Sequence, residues 1–168
     1  LQTSVMGQPG IHRFEQTDST NRRAKELAAG GAAEGTLVIA EGQTQGRGRL
    51  DRPWFSTPGE SICASLILRP SLPPASASRM VLLAAVAVAE TLIRTVGLPA
   101  AIKWPNDVLV KGRKIAGILV EMAVEMDAVD YMVIGLGLNV NTPVEHFPEA
   151  IRGSATSILA ETGKPFPR

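Results

Sequence analysis

Three arginines, Arg47, Arg49 and Arg52, stand within the stretch Gly46-Arg47-Gly48-Arg49-Leu50-Asp51-Arg52-Pro53-Trp54. Guanidinium groups this close repel one another unless an anion sits among them, and each offers planar, permanently charged donors suited to phosphate oxygens. Gly46 and Gly48 would let the backbone approach a ligand, and Trp54 could close the site as a flat apolar wall. A solvated surface loop is the plain alternative. A cationic loop that orders over a phosphate-bearing ligand accounts better for the density of arginine.

Other groups could join that chemistry. Lys103-Trp104-Pro105-Asn106-Asp107 sits at a strand end, where Pro105 breaks the strand and makes Asn106 and Asp107 project from a turn. Such a turn is common as structure alone, and it equally offers a Mg²⁺ ligand or a nucleotide-binding carboxamide beside a cation for phosphate. Lys114 opens a run, through Glu121, that is apolar on both strand faces from Ile115 onward. A lysine entering a buried strand needs a partner, and a catalytic role explains it better than packing. Asp18-Ser19-Thr20-Asn21 opens a helix; capping alone would account for it, while a helix N-terminus with spare hydroxyls and amides can also bind a polar group or an anion. Gly135-Leu136-Gly137-Leu138-Asn139 lacks the third glycine and the following helix of a dinucleotide fingerprint. Its glycines are expected to let a ligand or a neighbouring chain lie against a strand. His12 and His146 are isolated, no Cys/His cluster has metal-site spacing, and Cys63 reads as a core thiol.

The elements that must position these groups follow from periodicity and breakers. A strand is expected over Ile11 to Gln16, then a helix over Thr20 to Ala29, capped by Asp18 or Ser19 and stopped by Gly30-Gly31. Leu37 to Ala40 reads as a buried strand feeding a polar, glycine-rich loop from Glu41 to Pro58. Ser61 to Leu68 alternates, with Ile62, Ala64, Leu66 and Leu68 on one face, and so predicts a half-buried strand. Ser76 to Val96 holds no Gly or Pro and predicts one long packed helix closed by Gly97 and Pro99. Strands are expected over Ala101 to Trp104, Val108 to Val110, Lys114 to Met122 and Tyr131 to Asn139, with a hairpin turn at Lys111-Gly112-Arg113 and a last helix around Ala155 to Glu161. This order predicts an α+β fold with a mostly antiparallel sheet rather than a βαβ array.

At 168 residues and 45% hydrophobic content the chain suits one globular domain with a real core. A net charge of +1 supplies no global field toward nucleic acid or an anionic membrane, so anion binding must come from local clusters. The single cysteine excludes an internal disulfide and suits a reducing compartment. The most apolar run, Met80 to Ala89, ends at Glu90 and reads as too short to span a bilayer, and the first residues lack the pattern of a signal peptide. A cytoplasmic protein is the expectation. The start without Met and the stop at Arg168 read as a fragment.

In order along the chain, Ser19-Thr20-Asn21, Gly46 to Trp54, Lys103 to Asp107, Arg113 to Leu119 and Gly135 to Asn139 resemble the motifs of the biotin–protein ligases. That family's pattern runs S-T-N, G-R-G-R-x-G-R-x-W, K-W-P-N-D, R-K-x-A-G-I-L and G-x-G-x-N. The resemblance covers residues 12 to about 162, and it is the ordered set rather than any one motif that makes it specific. It implies a fold related to class II aminoacyl-tRNA synthetases, a mixed, largely antiparallel sheet backed by helices. It also implies a two-step reaction: biotin and ATP with Mg²⁺ give biotinyl-5′-AMP and pyrophosphate, then a lysine of a biotin carboxyl carrier protein takes the biotin.

Carried onto this sequence, the resemblance makes Ser19, Thr20, Asn21 and Gln43 biotin-pocket residues. Arg47, Gly48 and Arg49 would belong to a loop ordering over biotin and the adenylate. Lys114 and Arg49 would be catalytic, with Lys114 reaching the biotin carboxylate and the attacked phosphate. Arg49, Trp54, Lys103, Asn106, Asp107 and Asn139 would serve ATP, with Asp107 also a candidate Mg²⁺ ligand. Asp51 departs from the family's usual Gly and is expected to stiffen the loop or pair with Arg49 or Arg52. The whole chain, 1–168, reads as one catalytic domain, without a preceding helix-turn-helix and without the small C-terminal β-barrel of many members. A homodimer stays open. A lipoate–protein ligase and a non-catalytic biotin-binding module are the alternatives, with a nucleic-acid binder disfavoured by the charge.

Overall fold

The computed structural model describes residues 6–168. Seven strands form one sheet: β1 (Ile11–Thr17), β2 (Leu37–Gln43), β3 (Ser61–Leu68), β4 (Ala100–Lys103), β5 (Asp107–Val110), β6 (Arg113–Glu125) and β7 (Ala128–Asn139). The order across the sheet is β1-β2-β3-β7-β6-β5-β4. Among the seven strands only β1 and β2 pair in parallel, and helix α1 (Thr20–Ala29) crosses between them. The α+β class with a largely antiparallel sheet therefore holds, and one βαβ unit at the edge qualifies it. The predicted last helix starts late: Ala155 to Ser157 are extended or capping residues, and α4 runs Ile158–Thr162 with Ser157 Oγ accepting from the Ala160 N–H. A short helix α3 (Glu149–Arg152) precedes it, unpredicted.

Strand periodicity divides the molecule into two faces. On β7, Ile134, Leu136 and Leu138 join the core cluster of Val108, Ile115, Ala116 and Ile118. Covering that core is helix α2 (Ala77–Thr91), which packs Ala85 and Ala89 inward and runs on through a π turn, Leu92–Val96, to Gly97. The alternate residues of β7, Gly135, Gly137 and Asn139, look the other way, and a Cβ at Gly135 would meet Asn21 of α1. On that side α1 sets Ala24 and Ala28 against Val38, Ile67 and Val133. It covers the β2–β3–β7 half of the sheet and leaves the β6–β7 half for the loop that follows β2.

Three expectations need correction. Strand β3 is not half-buried with a solvent face, because its polar side (Ser61, Cys63, Ser65) is the more buried one, turned toward α1 and the loop. Helix α2 is packed along one stripe only, leaving Leu82, Leu83 and Val86 exposed, with Ile93 exposed in the π turn that follows. The helical stretch Pro74–Val96 also has the length, 23 residues, and contains an 18-residue window with the mean hydropathy, 1.6, of a segment able to cross a membrane. Counting only the unbroken apolar run missed this, because Arg79, Glu90 and Arg94 interrupt a longer helix. In this fold its inner stripe is a core helix face against β4, β5 and β6.

Candidate active site

The loop after β2 folds as a small hairpin. Trp54 N–H donates to the Gly46 carbonyl (2.8 Å), Gly48 N–H to the Arg52 carbonyl (2.8 Å), and Arg47 bridges Pro53. Its tip, Arg49–Asp51, turns through Leu50 and Asp51 at φ of 56° and 53°, a left-handed region that glycine adopts without strain. The stem needs Gly46, whose Cβ would lie 2.8 Å from the Trp54 carbonyl. Gly48 has no such constraint from the protein itself, since a Cβ there would meet nothing closer than 3.7 Å.

Trp54 comes back from this hairpin to lie on the sheet. Gly117 and Gly137 are direct cross-strand partners, and a Cβ at Gly137 would stand 2.3 Å from the indole. At Gly135 the Cβ would stand 2.1 Å from Asn21 Oδ1. The paired glycines thus make room for this chain's own Trp54 and Asn21, and Gly117, Gly135 and Gly137 also border a cavity. The space expected against the strand is therefore taken in part by the chain's own side chains.

Together the hairpin, α1 and the sheet enclose a cavity of about 300 Å³. Its floor is neutral and already hydrogen-bonded. Gln43 Oε1 accepts from the Thr20 N–H (2.8 Å) and lies 3.2 Å from its hydroxyl, so Ser19 holds the N-cap position of α1, as expected, while Gln43 rather than the Ser19 hydroxyl bonds its first turn. Ser65 Oγ donates to Asn21 Oδ1 (2.6 Å) and lies 2.9 Å from Thr20 Oγ1. Asp18 instead accepts from the Ser19 N–H and pairs with Arg22. Burial raises its carboxyl pKa, but these bonds outweigh it and hold the group below the ordinary carboxylate range.

The opposite wall is cationic. Arg49, Arg52, Lys103 and Lys114 all border the cavity. Among the described residues Arg49 and Arg52 form no ion pair, whereas Arg47 pairs with Glu121 (2.9 Å) and Asp51 (3.4 Å). Asp51 therefore pairs with neither of the two arginines expected for it, because Arg47 is the one folded back beside it.

Lys114 finds its partner in Asp107, with Nζ 2.6 Å from Oδ1, and its ammonium lies 5.4 Å from the centre of the Trp54 ring. Its side chain is 34% exposed, so the lysine leaves the buried strand for the cavity. The backbone of Lys114 is clamped from outside the sheet: its N–H donates to Ser154 and its carbonyl accepts from Thr156, both at 2.8 Å. Lys103 and Asp107 face each other across β4 and β5. Asn106 is engaged structurally, donating from Nδ2 to the Ile118 carbonyl (3.0 Å) while its own carbonyl receives the Ile118 N–H.

Asn139 does not border the main cavity. It lines a smaller one of about 140 Å³ with Phe55 and Phe147, bounded by Trp54 and Lys114 on the shared side. There Asn139 Nδ2 donates to Thr156, and its buried Oδ1 has no protein partner. Two residues, one at the rim of the main cavity and one just outside it, escaped sequence reasoning. Trp104, 79% exposed at the rim, carried no signal beyond its motif. Glu121 did: a carboxylate on an interior strand raises the same demand for a partner that drew attention to Lys114.

Asp107 is the one carboxylate bordering the main cavity, and among the described residues no cluster of three or more His, Cys, Asp or Glu could hold a metal. A Mg²⁺ bound mainly by nucleotide phosphates and water, with one carboxylate, fits this donor set.

Residues 13–139 match the biotin/lipoate A/B protein ligase family. The chain belongs to that family. Over all 168 residues it is 45% identical to a bifunctional ligase/repressor BirA of Bacillus spizizenii, covering 51% of that protein. It is 41% identical over 149 residues to a biotin–[acetyl-CoA-carboxylase] ligase of Mycobacterium tuberculosis, covering 86% of this chain and 53% of the relative. The fold superposes on the biotin protein ligase of Aquifex aeolicus in complex with biotin and ATP with a TM-score of 0.79 and 32% identity, over 94% of this chain and 63% of that one. The chain thus spans about half the length of the curated relatives it matches. As a ligase-family member it has the family's sheet, and the site described above lies on one face of it.

Proposed function

We propose that this chain is a catalytic domain that activates biotin with ATP and passes it to a lysine of a biotin carboxyl carrier protein. The observation that carries the reading is the split character of the cavity: a neutral, prebonded floor opposite a cationic wall in which, among the described residues, Arg49 and Arg52 form no ion pair. A bicyclic ureido head needs hydrogen-bond partners without net charge, which Ser19, Thr20, Asn21 and Gln43 supply. A carboxylate attacking a phosphate needs fixed positive charge where negative charge develops. Lys114 and Arg49 supply it, with Lys103 and Arg52 beside them. The floor also favours biotin over a lipoyl chain, whose dithiolane ring would leave those polar groups unmatched.

In the first step the biotin carboxylate oxygen bonds to the α-phosphorus of ATP and the bond to pyrophosphate breaks. Mg²⁺ carried on the phosphates would spread their charge, with Asp107 and the Asn106–Asp107 turn available to it. Lys114, held at its backbone by Ser154 and Thr156 and at its ammonium by Asp107, would contact both reacting groups. Arg49, at the hairpin tip, would keep the anhydride from water. In the second step a neutral lysine amine attacks the biotinyl carbonyl, releasing AMP and a proton.

Trp54 would wall the nucleotide side, and Asn139, with one unpartnered oxygen, would stand beside it. Adenylyl transfer from ATP and a free buried Cys63 suit a cytoplasmic setting. Biotin-dependent exchange of labelled pyrophosphate into ATP tests the proposal: exchange with biotin and none with lipoate supports it, and biotin binding without exchange would favour a non-catalytic binding module.

A further inference from the structure

The arginine that the hairpin does not leave free points to a residue outside the cavity. Glu121 lies on β6 opposite Val133, on the same sheet face as Gly117, with its side chain 22% exposed. Its Oε1 accepts from Arg47 Nη2 (2.9 Å) and Lys25 Nζ (2.6 Å), and its Oε2 accepts from Asn21 Nδ2 (2.9 Å). One carboxylate thus bonds the loop, the first helix and the central sheet at once.

We infer that Glu121 is a positioning residue that holds the floor and the arginine hairpin of the cavity in one register. This rests on the biotin-ligase reading of the site. Asn21 has its amide fixed at both ends: Oδ1 receives Ser65, and Nδ2 is aimed at Glu121 and the Leu119 carbonyl. Without Glu121 nothing distinguishes the two ends so firmly, and a flipped amide would present the wrong groups to a ligand. Arg47 is the only loop arginine with ion partners among the described residues, so it anchors while Arg49 and Arg52 stay available to phosphate.

The carboxylate is kept charged in this setting. Burial pushes the Glu121 pKa up, but hydrogen bonds from Lys25 and Asn21 and the nearby charges of Lys25 and Arg47 bring it below the ordinary value. Lys25 does not border the cavity, so its bond to Glu121 is a support and not a ligand contact.

Glu121→Gln keeps the size of the side chain and removes its charge. In ligand-free protein, trypsin cleavage after Arg47 and Arg49 should quicken about tenfold, the scale of one lost charge-assisted hydrogen bond. In pyrophosphate exchange the KM for biotin should rise by a similar factor of about ten, with turnover at saturating biotin unchanged. Arg47→Met removes one cleavage site itself but should reproduce the faster cleavage after Arg49, the double variant should add nothing to it, and Lys25→Met should leave it as in the parent. Should Glu121→Gln fail to fold, cleavage after Arg49 in Arg47→Met carries the same test. Parental cleavage after Arg49 in Glu121→Gln and Arg47→Met, or a Glu121→Gln protein whose KM is parental or whose loss is confined to turnover, would overturn the inference. A parent that exchanges no pyrophosphate would instead refute the proposed function, and the ligand-free cleavage would still report on the anchor.

Discussion

Along β6 two neighbours, Lys114 and Ile115, point to opposite sides of the same sheet. Ile115 is fully buried in the core beneath α2, where any well-fitting apolar side chain would serve. Lys114 reaches into a cavity floored by glycines and bonded polar groups, where its charge and position are what count. The same division runs down β7, with Ile134, Leu136 and Leu138 on one face and Gly135, Gly137 and Asn139 on the other. One face is specified by what fills it. The other is specified by what is missing, because two absent Cβ atoms decide where Asn21 and Trp54 can lie.

The sharpest way to break this comparison is to exchange the two neighbours' fates. Lys114→Ala should lower biotin-dependent exchange by ~10²–10³, the usual cost of removing a group that stabilises developing charge. Its unfolding midpoint in urea should stay close to the parent's. Ile115→Ala should do the reverse and cost ~2–4 kcal/mol of stability through lost burial and a residual cavity. Exchange per folded molecule should survive. A Lys114→Ala protein that loses stability rather than rate would erase the distinction between the faces.

A smaller effect should come from Gly137→Ala. The added methyl must displace the indole of Trp54, at a cost of ~1–3 kcal/mol typical of overpacking, and should merge the two cavities that Trp54 separates. Trp104 is already solvated, so the tryptophan emission should shift to the red as the second of the protein's two indoles enters water. Unchanged emission would mean that Trp54 does not lie on the glycine pair.

The smallest effect is in the pH dependence. Asp18 and Glu121 on the site face and Glu161 near the β5–β6 turn are all held below the ordinary carboxylate range. For Glu161 burial opposes this, and Thr156, Lys111 and Arg113 outweigh it. A lowered folded-state pKa stabilises fully above the unfolded value and loses that contribution as pH falls through the folded one. Thermal stability should therefore be level down to about pH 5 and decline below about pH 4, where unfolded carboxylates take up protons first. Glu121→Gln should make that decline shallower. A decline of the same steepness in Glu121→Gln would separate Glu121 from it.

Much of the frame was legible in the residues. Helix α1 begins and ends where a polar N-terminal group and Gly30 put it, and β3 has the bounds that its alternation predicts. What alternation could not say was which face is deeper, since a buried Ser65 looks like a surface serine until Asn21 and Thr20 are set against it. The β6–β7 hairpin runs to a turn at Met126-Asp127, beyond the expected ends, because exposed residues such as Val124 and Met126 leave no clean pattern there. In the site, charge density exposed the arginine hairpin but not its internal division. Arg47, Arg49 and Arg52 look alike in the sequence, and only the contact with Glu121, 74 residues away, tells the anchor from the free pair.

The account turns on whether the glycine-floored face does chemistry with biotin. The most direct measurement is ATP–pyrophosphate exchange by the 168-residue chain, with biotin, with lipoate and with neither. Exchange that requires biotin, is not supported by lipoate and disappears in Lys114→Ala is the predicted result. Exchange that proceeds equally with lipoate, or that persists in Lys114→Ala, would contradict it.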